Sequence, residues 1–219
     1  MILKNSTMKG KPTQIKHLRN TAVVAGGIFQ YELTPEKNIL PILKKLKYLP
    51  TQTGAGLSLE YNAYISENRN ILSELPQDLN DQIKTSVDYT VKTILSYSDC
   101  DHRIFSSWVA KVIPEGYSES HRHWNSWLSG VYYPDHDPEF KIRFFNDSYS
   151  QFSSPPKEAN DFNATLYTFT PVKNTLLIFH SHLRHKIQKN LSNKDRYSIS
   201  FNILPKDVFG DADSMVDFK

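Results

Sequence analysis

Cysteine is nearly absent from the sequence: Cys100 stands alone among 219 residues. No disulfide can form within the chain, and a reducing compartment, the cytoplasm, is the simplest setting. Long apolar runs are missing too. The longest uncharged one, Ala22 to Phe29, contains two glycines and falls far short of the roughly 20 residues of a membrane helix. The opening Met-Ile-Leu-Lys leads into no continuous apolar region of the kind a secretory signal has. Excess charge of one sign is lacking, since 26 basic and 23 acidic residues leave a formal net charge of +3. That is too little for a protein that coats phosphate backbones, so neither nucleic acid nor membrane is expected as a partner. Acid is missing before Glu32, and the basic head with Lys4, Lys9, Lys11, Lys16 and Arg19 reads as a frayed, solvated terminus. The tail from Lys206 is acidic through Asp207, Asp211, Asp213 and Asp217.

No repeat, low-complexity tract or linker divides the chain. With 39% hydrophobic residues it can bury a sizeable core, and one domain over 1–219 is expected. Within it, 1–103 form an N-terminal strand and helical support, 104–204 the core, and 205–219 the acidic tail. The run Ala22 to Leu33 reads as an extended segment interrupted by a glycine pair. Thr34-Pro35-Glu36 looks like the start of a helix reaching about Leu46. The longest helix is expected between Leu75 and Ser96, where Leu79, Ile83, Val87, Val91 and Ile94 form a stripe at helical spacing behind Pro76. From Ile104 the period changes to two. Strands are expected at Phe105 to Ile113, Leu128 to Tyr133, Phe140 to Phe145, Ala164 to Thr170, Thr175 to Phe179 and Arg196 to Leu204, separated by Pro-, Gly- and Asn-containing turns. Short strands after a helical part indicate a mainly β domain, an antiparallel sandwich or barrel flanked by N-terminal helices.

What the sequence does have is eight histidines, at 17, 102, 121, 123, 136, 180, 182 and 185. They cluster twice, in Ser120-His-Arg-His-Trp124 and in His180-Ser-His-Leu-Arg-His185. On a strand, residues i and i+2 share a face, so His121 and His123 can both aim into a barrel. An isolated His-x-His pair is as often two polar residues on a wet strand. A second cluster 64 residues on, from His121 to His185, strengthens the metal reading because a sandwich brings distant strands together. Eleven residues after His185, Arg196 and Ser198 share a face at the head of an alternating run. A guanidinium beside a hydroxyl is a good receptor for a carboxylate.

Taken in order, Glu115 through Tyr133 with its Leu-Ser-Gly-Val-Tyr-Tyr, then Leu176-Leu-Ile-Phe-His-Ser-His-Leu-Arg-His185, then Arg196-Tyr-Ser-Ile-Ser-Phe-Asn202 resemble the 2-oxoglutarate- and iron(II)-dependent oxygenases. The resemblance spans about residues 104 to 204 and implies a double-stranded β-helix, a cupin-like jelly roll with a metal at its open end. It makes His121 the proximal and His185 the distal iron ligand. Arg196 with Ser198 becomes the clamp on the far carboxylate of 2-oxoglutarate. Relatives carry His-x-Asp where this chain has His121-Arg-His123. Three alternatives for the third ligand stay open: His123 itself, water beside two histidines, or a carboxylate such as Glu119 or Asp135. His180, where relatives often have proline, and His182 have the opposite parity to His185 and are expected to face away.

The implied activity consumes Fe(II)-bound 2-oxoglutarate and O2, and hydroxylates a C–H bond of a small molecule or peptide with release of succinate and CO2. Trp108, Trp124, Trp127, Tyr132, Tyr133, Phe144 and Phe179 could exclude water from such a site, although core packing accounts for most of them. The polar loop Asn146 to Asn163 is expected to contact substrate. Two other readings remain open: a three-histidine cupin-type dioxygenase that binds substrate on the metal without 2-oxoglutarate, and a non-catalytic jelly-roll binding module. A homodimer is compatible with any of them.

Overall fold

The structure is a computed structural model, and it describes residues 15–23, 26–51, 62–147, 157, 158, 160, 163–210 and 212–218. Two antiparallel sheets dominate. In chain order the elements are β1 (Lys16–Val23), β2 (Gly26–Glu32), α1 (Leu40–Leu43), β3 (Tyr48–Pro50), β4 (Ala63–Ser66), α2 (Gln77–Tyr89), β5 (His102–Val112), β6 (Leu128–Tyr133) and β7 (Ile142–Phe145). They continue with β8 (Leu166–Phe169), β9 (Thr175–His180), β10 (His185–Ile187), β11 (Arg196–Pro205), β12 (Asp207–Phe209) and β13 (Val216–Phe218). The large sheet has eight strands in the order β1-β2-β9-β6-β11-β5-β4-β3, and the small one has the order β10-β7-β8. Among the described residues no helix is long and apolar enough to cross a membrane.

The middle strands of the large sheet are buried on both faces, which is why they read as nearly continuous apolar runs. Parity divides their side chains. Leu128 and Tyr132 of β6, Leu176 and Ile178 of β9, and Ile199, Phe201 and Ile203 of β11 pack toward α2. There they meet Leu79, Ile83, Val87 and Val91, the four-residue stripe of the longest helix, all essentially inaccessible. The opposite parity, Val131, Tyr133, Leu177 and Phe179, packs against Ile142, Phe144 and Leu183 from the small-sheet side. The π-helical turn Thr90–Ile94 extends α2 to the predicted length.

Each of the six strands predicted downstream of Ile104 is present, with ends moved by three residues at most. The N-terminal part differs from expectation. Only Leu40–Leu43 is helical in the stretch expected to run from Thr34 to Leu46. Pro41 has no N–H to give an upstream carbonyl, so a helix cannot pass through it and begins there instead. The Thr34 and Glu36 N–H groups donate to Gln82 Oε1 and Asp78 Oδ2 of α2, each at 2.7 Å. The glycine pair ends a hairpin rather than interrupting one strand: β1 pairs with β2 from Lys16↔Glu32 to Val23↔Gly26, so the basic head is ordered strand from Lys16 onward. The acidic tail folds into the β12–β13 hairpin.

Gly130 sits opposite Phe201 across the β6–β11 ladder, and a Cβ there would lie 2.1 Å from Phe201 Cζ. The bare α-carbon is what lets this fully buried ring lie across β6. Gly130→Ala should cost about 2 kcal/mol through overpacking. In the Gly130→Ala background, Phe201→Leu should recover part of that loss, a non-additivity that urea unfolding of the four proteins of the cycle measures.

Candidate functional site

The segment before His123 is held against the segment that carries His185. His121 and His185 exchange both backbone hydrogen bonds, N–H to C=O at 2.9 Å in each direction. The His123 N–H donates to the Ser181 carbonyl at 3.0 Å, and the Ser118 N–H to the Ile187 carbonyl at 3.2 Å. His121 is thus in an isolated bridge rather than the regular strand expected for the His-x-His pair, yet both of its histidines still turn to one side. One ring nitrogen from each of His121, His123 and His185 lies within 4.8 Å of the others. The ring centroids are 4.4 Å apart for His121 and His185, 5.1 Å for His123 and His185, and 5.4 Å for His121 and His123.

Every Nδ1 in this trio faces an oxygen acceptor. His121 Nδ1 lies 2.8 Å from the Glu119 carbonyl, His185 Nδ1 2.9 Å from the Leu183 carbonyl, and His123 Nδ1 2.7 Å from Asn202 Oδ1. A carbonyl can only accept, so each Nδ1 carries its hydrogen and each Nε2 presents a lone pair. The His123 and His185 rings are also held neutral. Burial pushes His123 down to about 4, against a smaller opposing pull from the Asn202 hydrogen bond, and His121 adds to the depression. His185 is driven well below its ordinary value by burial first and by its two neighbouring histidines second. Three converging neutral imidazoles suit Fe(II), Ni(II), Cu(II) or Zn(II).

Of the aromatic residues considered for shielding, Phe144 and Phe179 pack on the His185 ring at 5.6 and 4.9 Å, and Trp108 lies 5.7 Å from the His123 ring. Trp124 does not belong to this wall, being 77% exposed. Outside the trio, Arg122 and Arg184, which neighbour the clustered histidines in sequence, both donate to the Asp147 carboxylate. The other five histidines are not in the cluster among the described residues. His180 accepts the Gly27 N–H at 2.9 Å, as its parity suggested. Neither Glu119 nor Asp135 brings a carboxylate to the trio; Glu119 contributes its backbone carbonyl instead.

Arg196 and Ser198 are both buried on the face of β11 that also carries Asn202. The Arg196 Nε donates to Asp137 Oδ2 at 2.7 Å, and its guanidinium lies 5.0 Å from the Phe140 ring. Its two terminal nitrogens are fully buried and have no hydrogen-bond partner among the described residues, and the same is true of the Tyr133 hydroxyl. Arg196 and Tyr133 line a shared cavity of about 360 Å³ with Asp137 and Phe140. Asp137 lies in the Pro-Asp-His-Asp-Pro turn, which reads in sequence only as punctuation. Asn202 could have been found from its parity with Arg196 and Ser198. Most of the loop from Asn146 to Asn163, expected to contact substrate, lies outside the described residues.

Residues 106–202 match the family model described as "Putative 2OG-Fe(II) oxygenase", a stretch that contains all three clustered histidines and Arg196. No curated protein matches significantly. Among solved structures, the chain is similar to the non-heme alpha ketoglutarate-dependent carbocyclase SnoK of nogalamycin biosynthesis, with 9% identity, a TM-score of 0.56, and 82% of this chain and 80% of that one covered. It is similar to a Pseudomonas putida prolyl-4-hydroxylase, with 13% identity, a TM-score of 0.52 and 82% and 93% coverage. It is also similar to a Trichoplax adhaerens prolyl hydroxylase, with 13% identity, a TM-score of 0.52 and 76% and 74% coverage. At these identities the likeness is one of fold.

The depressed histidines fix a pH dependence. A group whose folded pKa lies below its unfolded value stabilises the fold above the unfolded value and loses that contribution as pH falls through the folded one. For His123 the window runs from 6.5 down to about 4. Metal-free protein should therefore lose about 2 kcal/mol more between pH 7 and pH 4.5 than a His123→Asn variant does, as measured by urea unfolding in the presence of a chelator.

Proposed function

We propose that this chain, whose residues 106–202 match the model of a 2-oxoglutarate- and iron(II)-dependent oxygenase family, is a hydroxylase that holds iron through His121, His123 and His185 and 2-oxoglutarate through Arg196. Its overall reaction inserts one oxygen atom of O2 into a substrate C–H bond and the other into succinate, as 2-oxoglutarate loses CO2. Iron with 2-oxoglutarate supplies the oxidising chemistry when bound; the chain contributes position, charge and shielding.

The observation that carries the reading is the pair of buried, unpartnered Arg196 nitrogens. Burying donors of a cation without acceptors is costly, so a fold that does this is one built to receive an anion there. Asp137 engages only the Nε edge, at 2.7 Å. Burial raises the Asp137 carboxyl, but the Glu139 N–H and the Arg196 guanidinium more than reverse this and hold it below its ordinary range, so it stays ionised and fixes the arginine from behind. The two free nitrogens are then parallel donors for a carboxylate, the bidentate pairing guanidinium favours. Ser198, and the Tyr133 hydroxyl, which shares the cavity, add neutral donors. In the histidine trio, His123 and His185, held neutral by burial, would offer Nε2 to the metal without first losing a proton at neutral pH. Phe144, Phe179 and Trp108 keep bulk water off the His123 and His185 rings.

The jelly-roll architecture and a single oxygenase domain follow from the same reading, as does a cytoplasmic setting for a chain with one cysteine. A three-histidine dioxygenase that binds substrate directly on its metal is the rival reading, because no carboxylate among the described residues joins the cluster. It gives Arg196 no purpose. Anaerobic titration of Fe(II)-loaded protein with 2-oxoglutarate separates the two. A visible absorption band that depends on 2-oxoglutarate is expected, and Arg196→Ala should weaken its half-saturation about 100-fold, as loss of a buried charge-assisted pair does. Fe(II)-dependent O2 uptake that needs no 2-oxoglutarate and survives Arg196→Ala would establish the rival.

A further inference from the structure

Two of the three histidines are oriented by their own local backbone. His121 and His185 each donate Nδ1–H to the carbonyl two residues earlier, Glu119 and Leu183. For His123 the corresponding carbonyl is that of His121, and it already accepts the His185 N–H at 2.9 Å. His123 is oriented instead by a side chain 79 residues away, Asn202, at 2.7 Å.

Asn202 does not stand alone. It faces Ser129 directly across the β6–β11 ladder, and Ser129 Oγ lies 2.8 Å from Asn202 Oδ1 and 3.0 Å from His123 Nδ1. With the Ser129 hydrogen on Asn202, Ser181 Oγ lies 2.8 Å from Ser129 Oγ and 2.9 Å from Ser126 Oγ, and Ser126 donates to the Leu128 carbonyl at 2.9 Å. The chain of hydroxyls thus ends on backbone rather than in solvent. Ser129 belongs to Leu-Ser-Gly-Val-Tyr-Tyr, Asn202 to Ser-Phe-Asn, and Ser181 follows Phe179 by two. The three motif segments meet at one imidazole.

We propose that Asn202, braced by Ser129, is the positioning residue that makes His123 a metal ligand. The inference rests on the three-histidine reading of the site. The amide oxygen has no hydrogen to give, so it pins the hydrogen on Nδ1 and turns the Nε2 lone pair toward His121 and His185. It does for a neutral ligand at this position what bonds to a carboxylate ligand would otherwise do: hold one ligand atom forward and occupy the other polar atom behind. The site thereby keeps three neutral donors and the full charge of the ion.

Titration of the metal-free full-length protein with Co(II), followed through the visible ligand-field bands, tests this. Asn202→Leu, close in volume but without the carbonyl, should weaken Co(II) binding by about 10- to 100-fold, the usual loss when a ligand's orienting partner is removed. Asn202→Asp, which still accepts from Nδ1, should retain tight binding and the wild-type spectrum. In a His123→Ala background, Asn202→Leu should change nothing further. If Asn202→Leu fails to fold, Asn202→Ala carries the same comparison. Wild-type affinity in the Asn202 variant, together with weakened binding in His123→Ala, would overturn the proposal while leaving the three-histidine site intact. Wild-type affinity in His123→Ala would overturn both.

Discussion

Strand β11 has two faces, and nearly everything distinctive in this molecule depends on keeping them apart. Tyr197, Ile199, Phe201 and Ile203 pack toward the helix; Arg196, Ser198 and Asn202 point the other way. A slip of one residue in the β11 register would exchange the two sets, burying an arginine against Leu79 and Ile83 and turning Phe201 into the site. The ladders to β5 and β6 on either side prevent it. The apolar contacts that stabilise the fold and the polar contacts that define the site are thus enforced by the same backbone hydrogen bonds.

Much of this was legible in the sequence because alternation is a strong signal wherever one face is apolar. The six downstream strands, the stripe of α2, and the convergence of His121, His123 and His185 could all be read before any coordinates. Other features could not. The strand Lys16–Val23 lies at the edge of the large sheet, and its basic residues look like a loose terminus. The segment around Pro41 carries helix-favouring signals at its start, but the proline ring decides where helix can begin. The reach of Asn202 to His123 and the seating of Arg196 on Asp137 pair residues 79 and 59 positions apart; no local pattern encodes contacts made by the closure of two sheets.

A facial set of two histidines and a carboxylate gives its metal one negative charge, and a set of three imidazoles gives none. The difference bears on what else the ion attracts. A divalent cation among neutral donors would hold an anionic ligand more strongly, and two acidic residues, Asp137 and Asp147, are already engaged by Arg196 and by the Arg122–Arg184 pair. Among the described residues no carboxylate joins the three histidines, which would leave the remaining positions on such an ion to an organic acid.

The three histidines also differ in depth. His121 is exposed, His123 intermediate and His185 buried against Phe144 and Phe179. A metal ion held by the trio would meet His121 at the solvent side and His185 at the buried side. Such an ion would be shielded most on the His185 side, whose ring packs against Phe144 and Phe179, and least on the His121 side.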